Sequence, residues 1–570
     1  MNLHAIYHIP EVPYAYSIDD NKLFIKLRVA NNDVKKVNLY YKDRYEWRHE
    51  FKISEMKKVS ETELFDFFEY TVSVAEGRVK YFFEIEGLDG TIIYFNERGT
   101  LKEKPEELGD FQYPYINSDE IYEDVKWTNE SVVYQIFPDR FCNGNKDNDL
   151  YGTEKWGDKV KSKSFFGGDI KGVLDKVNYL YDLGINIVYL TPIFKSSSNH
   201  KYNTEDYFEI DESFGTKEEF RKLVEELHKR DIKIILDAVF NHSGDDFFAF
   251  KHIKKNGINS KYKDWYFING EEIEDSINYR TFGNKLKYMP KLNMENEETK
   301  EYFLNVGTYW IKEFNIDGWR LDVSDEVSHT FWKAFRKTVK RVNKDIFIIG
   351  EIMHEGKTFL KGDEFDSSMN YPFREACLDF FAYRSINAKE LLDRVIMRKE
   401  GLRRDIYSQM LNLLDSHDTK RFLTECSEDI KRLMLATVFQ FTSEGIPYIY
   451  YGDEVGLSGG NDPDCRKCMI WNEKDQNKQL LSHYKKLIKI RKENNALMVG
   501  EYEEVYSKGK LLIYKRILCN EEILIVINNE EEKQKIDLNI FGEFNDMYLD
   551  ETIKIDGELE INGMDFKILK

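Results

Sequence analysis

Four acidic residues follow short apolar segments that are predicted to be β-strands, and each has an Arg or a His nearby in the sequence. They are Asp237, Asp322, Glu351 and Asp418. Cleavage of a glycosidic bond needs two or three carboxylates in one cleft: one acid protonates the leaving oxygen and another attacks the anomeric carbon or activates water. One acid must stay protonated and another ionised. A single acid after a strand is most often a helix cap, but this recurrence predicts a glycoside-cleaving site.

Arg320 lies two residues before Asp322 on the same predicted strand. Side chains two residues apart on a strand point to the same face of the sheet. A guanidinium in that position can hold a carboxylate ionised and oriented. The pair therefore predicts an oriented, negatively charged Asp322.

Short apolar segments alternate with amphipathic helices from about residue 132. The clearest unit combines a capping box at Thr216–Glu219 with an apolar helix face and a strand over 232–236. Repetition of this unit predicts a (β/α)8 TIM barrel, with catalytic groups at the carboxyl ends of the strands. A doubly wound sheet is the alternative, but neither a GxGxxG nor a GxxxxGK[ST] loop stands in the required place. The predicted strands span 132–137, 185–190, 232–236, 317–321, 346–349, 410–414 and 446–451.

Segments with β character flank this barrel. Alternation at 23–29 and a turn at Asp89-Gly90 predict an N-terminal β-sandwich over 1–123, ending in an acidic linker over 101–124. Residues 242–293 are too many for an ordinary βα loop, so we expect a subdomain inserted after strand three. Strand patterns at 511–518 and 523–527 predict a C-terminal β-sandwich over 495–570. The barrel then occupies 124–494.

The acidic motifs also resemble those of a known family. Segments 237–242, 318–322, 350–351 and 417–418 resemble, in order and spacing, four motifs of glycoside hydrolase family 13, the α-amylase superfamily. The segment Met289–Asn293 is similar to a fifth motif of its neopullulanase, cyclomaltodextrinase and maltogenic amylase group. Segments 134–141, 165–169 and 459–462 are similar to that group too. The resemblance covers essentially the whole chain.

The resemblance implies a role for each of these side chains. Asp322 would be the nucleophile and Glu351 the general acid/base of a retaining double displacement, with their carboxyl groups about 5–5.5 Å apart. Asp418 would bind sugar hydroxyls and favour a distorted ring. The substrate-binding residues would be His200, Tyr202, His242, Arg320, His417 and Asp237.

The loop 143–149 is dense in side-chain oxygens, which are the ligands that calcium prefers. A polar turn is the simpler interpretation of such a loop. The resemblance implies a structural calcium ion there instead. Its ligands would be Asn143, Asn145, Asn148, Asp149, Gly167 and Asp169.

Composition limits the partners. Lys and Arg total 83 against 103 for Asp and Glu, so the net charge of −20 argues against a nucleic-acid binder. No apolar run reaches the length of a transmembrane helix, and residues 1–8 lack a basic segment followed by an apolar one, so we do not expect a secretory signal. Six sparse cysteines suit a reducing cytoplasm.

The Cys465–Cys468 pair has the spacing of a zinc or redox motif, but no second pair of Cys or His lies nearby in the sequence to complete a zinc site. We expect Arg466 and Lys467 to face the substrate cleft.

The resemblance implies an α-glucan hydrolase that acts on cyclodextrins, maltodextrins and pullulan, yields mainly maltose and panose, and transfers some glycosyl groups. It also implies a homodimer through the N-terminal domain. The alternatives are a glucanotransferase or another α-glucosidase of the same family, and a non-catalytic sugar-binding or transporter-associated homologue. The last kind of protein lacks the acids that are present here.

The chain also departs from the group at several positions. Met353 stands where relatives often have Trp, Asn203 where Asp is usual, and Asp415 where Gly is common. The segment Val323–Glu326 differs as well. Apart from Asp415, these departures concern the subsites that bind the acceptor sugar. They therefore affect which substrate is preferred and how hydrolysis is balanced against glycosyl transfer.

Overall fold

The structure is a computed structural model that describes residues 1–106, 109–274 and 276–570. Its backbone forms two compact units. Unit 1 comprises residues 1–124 with the short segments 360–363 and 388–407. Unit 2 comprises 125–359, 364–387 and 408–570. None of the helices in the described ranges is long and apolar enough to cross a membrane.

Unit 2 contains the predicted barrel of parallel strands. Its strands are Val133–Ile136, Ile187–Leu190, Lys233–Ala238, Gly318–Leu321, Phe347–Gly350, Ser367–Ser368, Leu411–Leu413 and Ile446–Tyr450. Neighbours in the sheet follow chain order, with the first strand paired to the eighth. A parallel bridge between Met369 and Leu411 joins strands six and seven and closes the circle. Apolar side chains such as Val133, Ile187 and Ile235 fill the interior.

Seven of these strands match the predicted segments, but the sixth was missed. Ser367–Ser368 is two residues long and carries no apolar pattern, so periodicity cannot reveal it. The predicted capping box is confirmed: the Thr216 hydroxyl accepts from the Glu219 N–H, and the Glu219 side chain accepts from the Thr216 N–H. The helix before strand four begins at Glu297, where the side chain of Asn296 accepts from the Thr299 N–H and caps it.

Helices surround the barrel in unit 2. The α-helices are Pro138–Phe141, Ile170–Asp175, Val177–Leu183, Lys217–His228, Phe248–Asn256, Glu297–Phe314, His329–Val342, Tyr371–Cys377, Phe422–Glu425, Ile430–Thr442, Lys478–Lys492 and Asn495–Val499. A two-stranded sheet, Phe194–Ser196 with Thr204–Ile210, follows strand two. The insertion at 242–293 holds the helix Phe248–Asn256 and isolated bridges such as His242 to Lys291.

The C-terminal part of unit 2 is a six-stranded antiparallel sheet domain. In sheet order its strands are Glu501–Lys508, Leu511–Leu518, Glu521–Asn528, Asp565–Leu569, Gln534–Asp546 and Glu551–Ile561. Leu511, Val526, Ile536, Ile555 and Leu559 share its apolar core. The predicted strand 511–518 is confirmed, and 523–527 lies within the observed Glu521–Asn528.

Unit 1 contains the predicted N-terminal β-sandwich. One sheet is Ala15–Asp19, Lys22–Ala30, Phe65–Ser73 and Lys57–Glu61, and the other is Lys52–Glu55, Val34–Lys42, Val79–Gly87, Ile92–Asn96 and Gly99–Leu101. Phe111–Tyr113 also pairs with Val79–Gly87. The predicted linker over 101–124 is therefore partly strand, and its residues 107 and 108 lie outside the described residues.

Two helices from the middle of the chain, Ala388–Glu400 and Arg404–Tyr407, complete unit 1. A buried ion pair joins the first of them to the N-terminal sheet, with 2.7 Å between Lys26 Nζ and Glu400 Oε2. The other carboxylate oxygen of Glu400 accepts from the Ser60 hydroxyl at 2.9 Å. Burial alone would raise the pKa of Glu400, but Lys26 lowers it below its usual value.

We expect Lys26→Ala to lower the free energy of unfolding of unit 1 by about 3–5 kcal/mol, because it leaves Glu400 buried without its cation. Urea denaturation measures this. The matched control is Lys35→Ala, which removes an exposed partner of Glu86 and should leave the midpoint unchanged. Since the folded pKa of Glu400 is depressed, the contribution of the pair should be lost as pH falls through that value. Equal midpoints for the two variants would contradict this.

Candidate active site

Strand register brings the predicted acids to one edge of the barrel. Asp237 and Arg320 are paired residues on strands three and four, and Leu321 pairs with Gly350 on strands four and five. Asp322 and Glu351 each come one residue later. The carboxyl ends of three adjacent strands therefore place these charged side chains side by side.

One buried guanidinium contacts three carboxylates. Arg320 Nη1 donates to Asp237 at 2.9 Å and to Asp322 at 2.8 Å, and Arg320 Nη2 lies 2.6 Å from Glu351 Oε1. Arg320 itself is 1% exposed. A single positive charge cannot compensate three buried negative charges, so the cluster favours retention of a proton.

Burial raises the pKa of Glu351 to about 7, although Arg320 opposes this rise; the charge of Asp418 adds to it. Burial and the adjacent Glu351 also raise the pKa of Asp322. The two acids are close enough to titrate as a coupled pair, so that one of them tends to keep a proton while the other is ionised. Both acids line the cavity. The hydrogen bond from Arg320 Nη1 to Asp322 opposes the rise in the pKa of Asp322, so we assign the carboxylate to Asp322 and the proton to Glu351.

The backbone of Val323 is strained beside these acids. Its φ of 44° lies in the left-handed region, which a β-branched residue rarely adopts. Its N–H donates to Glu351 Oε2 at 2.9 Å, which fixes that carboxyl group. Strain of this kind is characteristic of functional sites. Sequence patterns carry no signal for it, because it is a property of the backbone.

The acids open into a cavity of about 480 Å³. Six of the predicted residues line it: Asp322, Glu351, Asp418, His200, Tyr202 and His242. Burial lowers the pKa of His200 and of His242 to about 3, so both rings are neutral. Within the described part of the chain, His242 Nε2 is buried and has no hydrogen-bond partner. It is therefore available to a ligand hydroxyl.

The other three predicted substrate-binding residues, Asp237, Arg320 and His417, lie behind this lining. Asp237 accepts from the hydroxyls of Tyr189 at 2.5 Å and Tyr202 at 3.0 Å. His417 stacks on Tyr202 with 5.4 Å between ring centres, and its Nε2 lies 2.6 Å from the Tyr202 hydroxyl. These side chains hold Tyr202 in place. A direct contact of His417 with sugar stays a prediction.

Arg466 faces the cavity, as expected, and Lys467 lines another one. Arg466 Nη2 donates to Asp418 Oδ1 at 3.1 Å, and its Nε donates to the His417 carbonyl at 2.8 Å. Asp462 lies 3.3 Å from Arg466 Nη1. Arg466 thus orients the third acid from a loop distant in sequence.

The inserted segment supplies apolar side chains to the wall of the same cavity. Phe282, Leu286, Tyr288 and Met289 line it, and Met353 is 52% exposed at the same cavity. Phe282 also stacks on His242, with 5.0 Å between ring centres. Carbon surface of this kind can pack against the faces of sugar rings. Sequence reasoning missed Phe282 and Tyr189, because aromatic residues in a Tyr- and Phe-rich chain do not stand out.

The six predicted metal-ligating residues come together near strand one. Asp169 caps the helix Ile170–Asp175 and accepts from the N–H groups of Gly144, Asn145 and Gly172. The amide of Asn143 donates to Asp149 at 2.8 Å. The side chains of these residues thus tie the loop 143–149 to the segment that begins at Gly167.

Comparison with known proteins gives the same family at both sequence and structural level. The chain matches the family model for the alpha amylase catalytic domain over residues 135–500. Models for the alpha amylase N-terminal ig-like domain and the alpha-amylase C-terminal domain match residues 1–117 and 500–547.

Similar whole proteins have related names. A cyclomaltodextrinase of Thermoanaerobacter pseudethanolicus is 47% identical, with 94% of each chain covered. Neopullulanase 2 of Thermoactinomyces vulgaris is 44% identical over 95% of this chain and 93% of its own. A solved cyclomaltodextrinase structure superposes with a TM-score of 0.94 at 40% identity, covering both chains completely. Taken with the barrel and its three acids, these matches show that the chain belongs to the α-amylase family.

Proposed function

We propose that this protein is a retaining hydrolase of α-1,4-glucosidic bonds that acts on cyclodextrins, maltodextrins and pullulan. The observation that carries the proposal is the cluster of Asp322, Glu351 and Asp237 on the single guanidinium of Arg320. Relatives named cyclomaltodextrinase, neopullulanase and maltogenic alpha-amylase support this substrate class. The expected products are mainly maltose and panose, with some transfer to sugar acceptors.

The geometry supports a double displacement. Glu351 gives its proton to the glycosidic oxygen while an oxygen of Asp322 attacks the anomeric carbon, and the leaving sugar departs with that proton. Glu351, now a carboxylate, takes a proton from water, which attacks the same carbon and releases Asp322. Configuration is retained because two inversions occur. His242 and Asp418 are placed to hold hydroxyls of the sugar whose bond is cut.

The substrate class is tested with β-cyclodextrin and proton NMR during the first minutes of reaction. We expect ring opening, followed by maltose that appears first as the α-anomer. Glu351→Gln should fold normally, as judged by circular dichroism, and lose roughly 10²–10⁴ of the turnover, because it keeps the shape but removes the proton donor.

An intact ring in the presence of active enzyme, with linear maltodextrin cut in parallel, would shift the assignment to a linear-glucan enzyme. The β-anomer as first product would exclude the double displacement. Near-parental turnover by Glu351→Gln would contradict the assigned roles.

The pH dependence of kcat/KM should report the titration of Glu351 in the enzyme without substrate. Because the pKa of Glu351 is raised to about 7 and its protonated form is required, kcat/KM should fall about tenfold per pH unit above that value. The matched control is Glu326→Gln, which removes another carboxylate of the same cavity. In this variant, kcat/KM should begin to fall at the same alkaline pH as in the wild type. If kcat/KM of the wild type instead began to fall near the ordinary pKa of Glu, the raised pKa of Glu351 would be contradicted.

We further propose that the loop 143–149 holds a structural calcium ion. In the described part of the chain, no group of three or more His, Cys, Asp or Glu is arranged for a metal, so amide and backbone oxygens must contribute. Asn143 Oδ1 and Asn148 Oδ1 are buried and lack partners among the described residues. A Cβ on Gly167 would collide with Asp149. This oxygen-rich space suits a hard cation.

Calcium should raise the melting temperature of the wild type relative to protein in EDTA, because the ion binds the folded state and not the unfolded one. Asp149→Ala should abolish that difference. The control is Asp147→Ala, an exposed acid of the same loop outside the proposed set, which should keep it. An unchanged melting temperature of the wild type in EDTA would refute the proposal.

Two finer proposals concern assembly and location. A homodimer through the N-terminal domain is supported by Tyr45 and Trp47, which are 58% and 70% exposed in unit 1. The sedimenting mass, measured by analytical ultracentrifugation, distinguishes one chain from two.

A cytoplasmic location is supported by a relative named intracellular maltogenic amylase, 41% identical over 93% of this chain, and by six unpaired cysteines. Cell fractionation tests the location.

A further inference from the structure

A second cavity lies in unit 2 between the loops 142–167 and 457–475. Its volume is about 940 Å³, roughly twice that of the catalytic cavity. No residue of the proposed catalytic set lines it. A space of this size can hold a ligand of several sugar units.

Two tryptophans form fixed carbon surfaces in this cavity. The indole N–H of Trp156 donates to the Met469 carbonyl at 3.1 Å, and that of Trp471 donates to the Phe141 carbonyl. Trp156 also packs on an apolar cluster of Val160, Phe166 and Cys468. Because both N–H groups already have acceptors, what each ring offers a ligand is carbon surface. Lys176 Nζ lies over the Trp471 ring, 4.1 Å from its centre, which leaves Trp156 as the more open of the two.

The polar groups around the indoles carry balanced charge. Apart from Asp149, which the proposed calcium ion would bind, the acids are Glu154, Asp158, Asp464 and Asp475, and the bases are Lys146, Lys155, Lys159 and Lys467. Two of these already pair, with 3.2 Å between Lys467 Nζ and Asp464. A cavity with almost no net charge favours neither an anion nor a cation. Mixed donors and acceptors beside aromatic carbon fit a neutral polyhydroxylated ring.

The loop 462–468 is a shared wall of the two cavities. Asp462 and Arg466 face the catalytic cavity, whereas Asp464, Lys467 and Cys468 face the second one. The wall is held firmly, since the Lys467 carbonyl accepts from the Tyr451 hydroxyl at 2.6 Å and the Arg466 carbonyl accepts from Arg140 at 3.2 Å. A ligand in the second cavity would therefore lie directly behind Arg466, the residue that orients Asp418.

From these features we propose that the second cavity is a non-catalytic binding site for a neutral oligosaccharide, with Trp156 as its main stacking surface. The ligand class follows from the chemistry of the cavity, and the choice of an α-glucan rests on the proposed function. Such a site retains long glucans at the enzyme without cutting them.

The test is calorimetric titration of the full-length Glu351→Gln protein with maltotetraose, which that variant should cut at least about a hundredfold more slowly than the wild type. We expect two binding sites per chain. Adding Trp156→Ala should weaken one site more than tenfold, through loss of stacking. Adding Asp158→Ala, an exposed side chain, should weaken the same site about fivefold, the effect of one hydrogen bond. Near-UV circular dichroism checks that both variants remain folded.

The matched control is Tyr151→Ala, because Tyr151 is a fully exposed aromatic residue of the same loop that does not line the cavity. It should leave both sites intact. In the otherwise wild-type protein, Trp156→Ala should keep its rate on p-nitrophenyl maltoside within twofold.

One site per chain, or two sites that neither Trp156→Ala nor Asp158→Ala affects, would overturn the proposal. An equal loss with Tyr151→Ala would also overturn it. If the wild type leaves α-glucans uncut but still binds maltotetraose in a Trp156-dependent way, the proposed function fails and this inference stands.

Discussion

The arrangement of the active site depends on the buried charge of Arg320. Its guanidinium is 1% exposed and contacts Asp237, Asp322 and Glu351 at the inner end of the catalytic cavity. Removing any one of these carboxylates would change the protonation of the others, because they share a single cation. The barrel is what makes this cluster possible. Parallel register places Asp237 beside Arg320, and the following strand brings Glu351 alongside.

Much of this arrangement could be predicted from sequence because the acids follow apolar strands. A strand that is buried on both faces gives a clear apolar run, and the residue after it must lie at the barrel rim. The order of the strands and the position of the four acids follow from that pattern. The short sixth strand does not, since Ser367 and Ser368 have no apolar signal and are strand only through their pairing with Ile349 and Gly350.

Other parts of the site depend on contacts between distant segments, which periodicity cannot report. Arg466 reaches Asp418 across 48 residues, and Tyr189 reaches Asp237 across 48 residues. The strained φ of Val323 is likewise visible only in the folded backbone. From the sequence, Arg466 could be predicted to face the cleft. That it donates to Asp418, at 3.1 Å, could be learned only from the structure.

Unit 1 is assembled from parts of the chain that are far apart in sequence. Its sheets end by residue 124, yet Glu400, the partner of Lys26, is made 276 residues later. A ribosome that adds about 5–20 residues per second needs roughly 15–55 s to cover that interval. Throughout this time the emerging N-terminal sheets hold Lys26 without its carboxylate. Completion of the first unit therefore has to wait until residue 400 has been made, by which point six of the eight barrel strands have been synthesised.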